Sequence, residues 1–313
     1  MNWMFKAFVQ NSVALLPDPW SHRLYYTLQR RFGGLQSVSA VEKIRQGIEV
    51  SALLKELGRS LDGASFLEVG TGRRLNLPLS LWLLGAERGV TIDLNPYLKD
   101  ELVREDVKQI REQRDAIAGL FGSELKLDRL DELAALPADF RLDALLDLCK
   151  IRYIAPGDAT KTNLKDASID YHVSYEVLEH IPEPVLQGIL EEGSRIVARD
   201  GLFLHKVDFS DHFSHSDASI SKINFLKYGD RTFAALAGNR YMYMNRLRVD
   251  DFLKLYERSG HRIAKLVPEV DAQTASLVDR GGIEVDGRFK DKSIETLATM
   301  NAWIVSRGTH QSG

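Results

Sequence analysis

The sequence predicts an α/β fold in which seven strands form a mostly parallel sheet with helices on both faces. Three observations carry that expectation. Short apolar runs alternate with helical stretches from Ala64 onward, a glycine turn follows the first run, and an acidic residue closes the second. Strand, turn, helix and strand at this spacing make a βαβ unit, whose right-handed crossover leaves its strands parallel.

Residues 1 to 60 read as an N-terminal helical cap. Trp3, Met4, Phe8, Val13 and Leu16 recur at roughly helical spacing, followed by Leu24, Leu28 and Phe32, then Ile44, Ile48, Leu53 and Leu57. Gly33-Gly34 and Gly58 punctuate these stripes. Gln10, Asn11 and Ser12 interrupt the opening run, so it is too short for a secretory core or a membrane span, and a helix laid on the domain is expected.

Residues 61 to 313 read as the α/β domain itself. Phe66–Val69 and Val90–Asp93 are its first two strands, joined through a helix that starts near Asn76 and Pro78. A charged helical insertion at about 97–149 follows, far longer than an ordinary connection. Strands resume at Ile151–Ile154, Tyr171–Ser174 and Leu202–Val207, with a helix over Glu183–Ala198. His261–Val267 and Ala302–Ser306 close the set, and residues of about 208–250 are expected on the acceptor side of the domain.

Composition excludes several classes. With 41 Lys+Arg against 44 Asp+Glu and a net charge of −3, no surface is built to neutralise many phosphates, so nucleic acid is not expected as a partner. The single cysteine, Cys149, excludes an internal disulfide and any multi-cysteine metal site. The expectation is a cytoplasmic enzyme with a small-molecule substrate, no membrane contact and an oligomeric state that stays open.

Glu68-Val69-Gly70-Thr71-Gly72 sets two glycines where backbone turns tightly against a ligand, ahead of a helix N-terminus. A dinucleotide loop wants a third glycine where this chain has Arg73, Arg74 and Leu75, so a ligand without a pyrophosphate is favoured. Asp93, with Leu94 beside it, stands 23 positions beyond Gly70, where a carboxylate can accept ribose hydroxyls. Asp158-Ala159 follows the third strand, and Asp166–Asp170 turns into the fourth.

The string Ser174-Tyr175-Glu176-Val177-Leu178-Glu179-His180-Ile181-Pro182, with that acidic turn before it and Arg195–Gly201 after it, resembles the type 11 group of class I S-adenosylmethionine-dependent methyltransferases. The resemblance covers about 66–208. It implies a Rossmann-like class I methyltransferase fold and S-adenosylmethionine as cofactor. It further implies that the Glu68–Gly72 loop lines the methionine portion, Asp93 binds ribose, Asp158-Ala159 meets adenine, and the Ser174-Tyr175 edge faces the sulfonium. Arg73-Arg74 departs from the family pattern; either could pair with the cofactor's carboxylate or lie on the surface.

An activated methyl group needs alignment more than chemistry, so few catalytic residues are required. Tyr175 is the ring expected by the sulfonium, with Tyr25 and Tyr26 contributed by the cap. Asp208–Asp217 is dense in His and Asp after strand five, where an acceptor should lie, and His212 with Asp208 is the expected catalytic pair. A metal site from His212, His215 and an aspartate is conceivable, but none is expected. His180 either fixes its own loop or acts in catalysis, and Tyr241–Arg248 is either a core helix face or a wall of the acceptor pocket.

Three functions follow. The first is methyl transfer to an oxygen or nitrogen of a small molecule, a carbohydrate or secondary metabolite. The second is an intramolecular cyclisation resembling that of azetidine-2-carboxylate synthases, which releases methylthioadenosine and needs no acceptor. The third is a cofactor-binding scaffold without catalysis.

Overall fold

A computed structural model describes residues 2–18, 20–35 and 39–309. In chain order its elements are α1 (Trp3–Ala14), α2 (Trp20–Phe32), α3 (Ala40–Glu56), β1 (Ser65–Val69), α4 (Asn76–Leu83) and β2 (Arg88–Ile92). The insertion follows as α5 (Asp100–Glu112), α6 (Arg114–Phe121), α7 (Leu127–Ala135) and α8 (Leu142–Leu148). Then come β3 (Ile151–Ile154), β4 (Ile169–Tyr175), α9 (Glu183–Ile196), β5 (Val197–Asp208), α10 (Asp230–Ala237), α11 (Val249–Arg258), β6 (His261–Val270), α12 (Ala272–Asp279), α13 (Ile294–Ala298) and β7 (Thr299–Gly308).

The seven strands form one sheet in the order β3-β2-β1-β4-β5-β7-β6, the mostly parallel Rossmann-like arrangement the sequence predicts. β1 pairs in parallel with β2 and β4, and β2 with β3. The order reverses beside β1, which opens a crevice at the carboxyl ends of β1 and β4; such switch points are where open α/β sheets bind ligands. Every residue of β1 is buried, Ser65 and Glu68 included, which explains why it shows no strict apolar–polar alternation.

The chain divides into two compact units. One comprises Val38–Tyr175, Gly188–His205 and Val305–Gly313. In it, Ile44, Val50 and Leu54 of α3 pack near the fully buried α4, and a Cβ on Gly47 would meet the Ser80 hydroxyl, so the helices cross closely there. The predicted insertion is present as α5–α8.

The other unit comprises Met1–Ser37, Glu176–Gln187 and Lys206–Ile304. Trp3 and Ala7 of α1 join a cluster with Phe213, Phe225, Phe233 and Phe289. The backbone N–H of Trp3 donates to Asp217 Oδ2 at 2.8 Å. The expected stripe on α1 is rotated: Trp3, Ala7, Gln10 and Val13 are buried, whereas Met4 is 57% and Phe8 67% exposed. Steps of four and three residues from Trp3 follow one helix face, and Met4 and Phe8 fall on the next. Among the described residues no helix is long and apolar enough to cross a membrane.

Candidate functional site

The loop after β1 turns as its glycines require. Gly70 sits at φ 92° and Gly72 at φ 65°, backbone that a side chain resists, and a Cβ at Gly72 would meet open space. Gly72 N–H donates to Asp93 Oδ2 at 2.9 Å, and Asn95 N–H donates to Asp93 Oδ1 at 2.9 Å. Asp93 therefore stands just past β2 with its carboxylate held against the glycine turn. Burial raises its pKa above the usual range, opposed by those two amides. Leu94 next to it is 72% exposed.

Beneath the loop, Glu68 is buried and its carboxyl bonds the Thr91 hydroxyl, which lies 2.5 Å from the Thr71 hydroxyl. Burial pushes Glu68 up to about 8, so it holds a proton at neutral pH. Ser174, near the end of β4, is 1% exposed, and its Oγ has no hydrogen-bond partner among the described residues. Tyr175 closes the strand, and its hydroxyl donates to Glu49 Oε1 at 3.1 Å. Asp158 is exposed and accepts from the Thr160 backbone and hydroxyl at 2.8 and 2.7 Å, with the half-buried Ala159 between them.

The two arginines after the loop part ways. Arg74 is buried and forms an ion pair with Asp106 of α5, with Glu105 at 3.3 Å and the Leu102 carbonyl at 3.0 Å, so it ties the loop to the insertion. Arg73 lies over the Tyr97 ring at 5.4 Å. Tyr25 is likewise committed, stacked on Tyr241 with ring centroids 3.9 Å apart.

In the other unit, the residues after β5 form a polar cluster. Asp208 Oδ2 lies 3.1 Å from His212 Nε2 and 3.9 Å from His215 Nε2, and its Oδ1 accepts from Ser210 N–H at 2.7 Å. Burial would raise the Asp208 carboxyl, but His212 and Ser210 hold it below its usual range. Asp211 and Asp217 serve the loop instead, accepting from the backbone N–H groups of Phe213 and Trp3. His180 Nδ1 bonds the Tyr243 carbonyl at 2.8 Å, and its burial, with His212 close by, lowers the imidazole to about 4. Glu176, Asp208, Ser210, His215, Asp271 and Asn301 are among the groups lining a cavity of about 780 Å³, a size suited to a small molecule.

Residues 241–248 do not form the core helix face that was one of the two expectations for them. They run without helix or strand, and Met242 and Met244 enter the apolar core. Arg246 and Arg248 are buried against backbone carbonyls: Arg246 meets those of Phe225 and Tyr228, and Arg248 those of Phe209, Leu297 and Thr299.

Residues 139–205 match the family model of a methyltransferase domain. The fold around them, with its β3-β2-β1-β4-β5-β7-β6 sheet, is that of the class I methyltransferases. The methyltransferase match runs from before α8 to within β5, so the Gly70–Gly72 turn and Asp93 stand outside it. No curated protein matches the chain. Solved structures are similar at low identity. A protein from Pyrococcus horikoshii shares 13% identity over 91% of this chain and 98% of its own, with a TM-score of 0.47. An S-adenosylmethionine-dependent methyltransferase from Mesorhizobium loti shares 15% over 82% and 96%, with a TM-score of 0.42. Geranyl diphosphate C-methyltransferase from Streptomyces coelicolor, solved with magnesium, geranyl diphosphate and S-adenosyl-L-homocysteine, shares 11% over 84% and 79%, with a TM-score of 0.45.

Glu179 escaped the sequence reading. It is 2% exposed beside His180, its carboxyl oxygens meet no side-chain donor among the described residues, and burial raises its pKa well above the usual carboxylate range, opposed by the backbone amides of Glu179 and Asp208. Its signal was the adjacent acid and histidine just after a buried strand.

Proposed function

We propose that the chain is an S-adenosylmethionine-dependent methyltransferase acting on an oxygen or nitrogen of a small molecule. The observation that carries this reading is the Gly72–Asp93 hydrogen bond, with open space above Gly72, at the switch point of the sheet. Gly70, Thr71 and Gly72 would line the methionine portion, with Glu68 supporting the turn from below through Thr91 and Arg73 meeting the carboxylate. Asp93 and Leu94 would take the ribose, and Asp158 and Ala159 the adenine. The partnerless Ser174 Oγ and the Tyr175 ring would face the sulfonium. The bound cofactor supplies a methyl group already activated by positive charge on sulfur.

The protein's own work is alignment and proton handling. Loop and carboxylate fix one reactant, and the cavity lined by Asp208 and His215 holds the acceptor. Asp208 orients His212, which takes the proton an acceptor hydroxyl or amine must lose. Incubation with S-adenosylmethionine and candidate acceptors yields S-adenosylhomocysteine on this reading. The cyclase reading instead yields methylthioadenosine from protein and cofactor alone, so mass spectrometry of the two nucleosides separates them. The commitment of Arg74 to Asp106 leaves Arg73 as the arginine for the cofactor's carboxylate under either reading. Methylthioadenosine without acceptor would overturn the methyltransferase reading.

A further inference from the structure

We infer that Glu179, His180 and His212 form a binding site for one divalent transition-metal cation. One ligand atom from each lies within 4.8 Å of the others, and Glu179 and His180 come from the turn after β4 while His212 comes from the loop after β5. Two features set this group apart from a chance meeting of polar side chains.

The first is Glu179. At 2% exposure its carboxyl oxygens meet no side-chain donor among the described residues, only the backbone amides of Glu179 and Asp208, so burial holds its pKa well above the usual carboxylate range and its charge is costly unless something else stabilises it. Its Oε1 is 3.9 Å from His180 Nε2, inside the cluster. A cation there would supply what the protein withholds.

The second is the way both imidazoles are held. A metal-binding histidine characteristically gives its other ring N–H to a carbonyl or a carboxylate, which fixes the tautomer and aims the free lone pair. His180 has that arrangement, with Nδ1 2.8 Å from the Tyr243 carbonyl and Nε2 left toward Glu179. His212 has it too, with Nε2 3.1 Å from Asp208, and the two rings lie with centroids 4.9 Å apart. Each imidazole thus has a supporting partner already in place. Bond lengths of about 2.0–2.2 Å require the three side chains to close by roughly an ångström each.

Two imidazole nitrogens and one carboxylate oxygen select zinc, manganese, iron(II) or cobalt over magnesium or calcium, which prefer all-oxygen sites. Three protein ligands leave a position open. Asp208 both holds His212 and lines the 780 Å³ cavity, so the site borders that cavity and the open position suits an oxygen of the acceptor. This last point rests on the methyltransferase reading, and it changes the part of His212: with a cation bound, His212 is a ligand, and the Asp208–His212 pair acts on the acceptor through the metal. The proposal stands in place of the metal-free expectation drawn from the sequence.

The test uses the full chain stripped with a chelator and titrated with Zn²⁺ by calorimetry, without cofactor or acceptor. The expected result is one site per chain, weakened at least tenfold in Glu179→Gln and in His212→Ala, and about 10- to 100-fold in Asp208→Asn. Circular dichroism verifies that each variant is folded. Because a variant could lose the loop instead of the ligand, Co²⁺ is also added to the unmutated protein, where nitrogen-ligated, low-symmetry cobalt gives intense visible absorption bands. No stoichiometric Zn²⁺ binding, no such bands, or equal affinity in folded variants would overturn the site. None of these readings involves methyl transfer, so a metal-binding chain without nucleoside product would sink the methyltransferase reading and leave the site standing.

Discussion

At the scale of single residues, the half-buried Asp93 and the buried Glu68 are two acids with opposite duties. Asp93 is held by two backbone N–H groups and is the candidate ribose acceptor. Asp93→Ala is expected to weaken S-adenosylmethionine binding by about 1–3 kcal/mol, the cost of stranding its partners. A calorimetric titration checks this, and an unchanged dissociation constant would contradict the assignment. Glu68 governs stability. It titrates near 4.5 in an unfolded chain and near 8 when folded, because burial disfavours its charge. Below about pH 4.5 both states are protonated and its contribution to stability is fully present. From there up to 8 the unfolded chain releases a proton that the folded chain keeps, so stability falls as pH rises, by up to roughly 1.4 kcal/mol per unit. Glu68→Gln should flatten that slope, and denaturant midpoints of both proteins at pH 5 and pH 8 would show the gap between them widening with pH.

At the scale of elements, the strands were legible and the segment 241–248 was not. Strands of such a sheet announce themselves as short, mostly apolar runs between helices, and β1, β2, β3 and β5 fall where those runs lie, with ends shifted by up to five residues. The Gly72–Asp93 contact also follows from local spacing, since strand β2 returns beside β1. The sequence near Tyr241 offers no such period. Its fate is set by Arg248, whose guanidinium donates to carbonyls of Phe209, Leu297 and Thr299, all far away along the chain. Arg74 was illegible for the same reason, as its partner Asp106 belongs to the insertion. Arg248 is fully buried, and its pKa is lowered to about 10 by burial. Arg248→Ala would leave several buried carbonyls unpaired, so a loss on the order of 3 kcal/mol or more is expected. Urea denaturation measures it, and a loss below 1 kcal/mol would show that water replaces the guanidinium.

At the scale of the molecule, each unit gathers its candidate groups just past strand ends, and this was legible in part. Asp208 and His212 were visible as a polar string after a strand, while Glu179 acquires meaning only when the turn after β4 and the loop after β5 meet. The strand order has a further effect on how the protein is made. β7, the last strand, lies between β5 and β6. A nascent chain that has left the ribosome only as far as residue 298 therefore presents β5 with one bare edge and β6 with no neighbour. Bare edges invite pairing with other chains, so completion of this sheet, and the covering of the facing edges of β5 and β6, waits on residues 299–308.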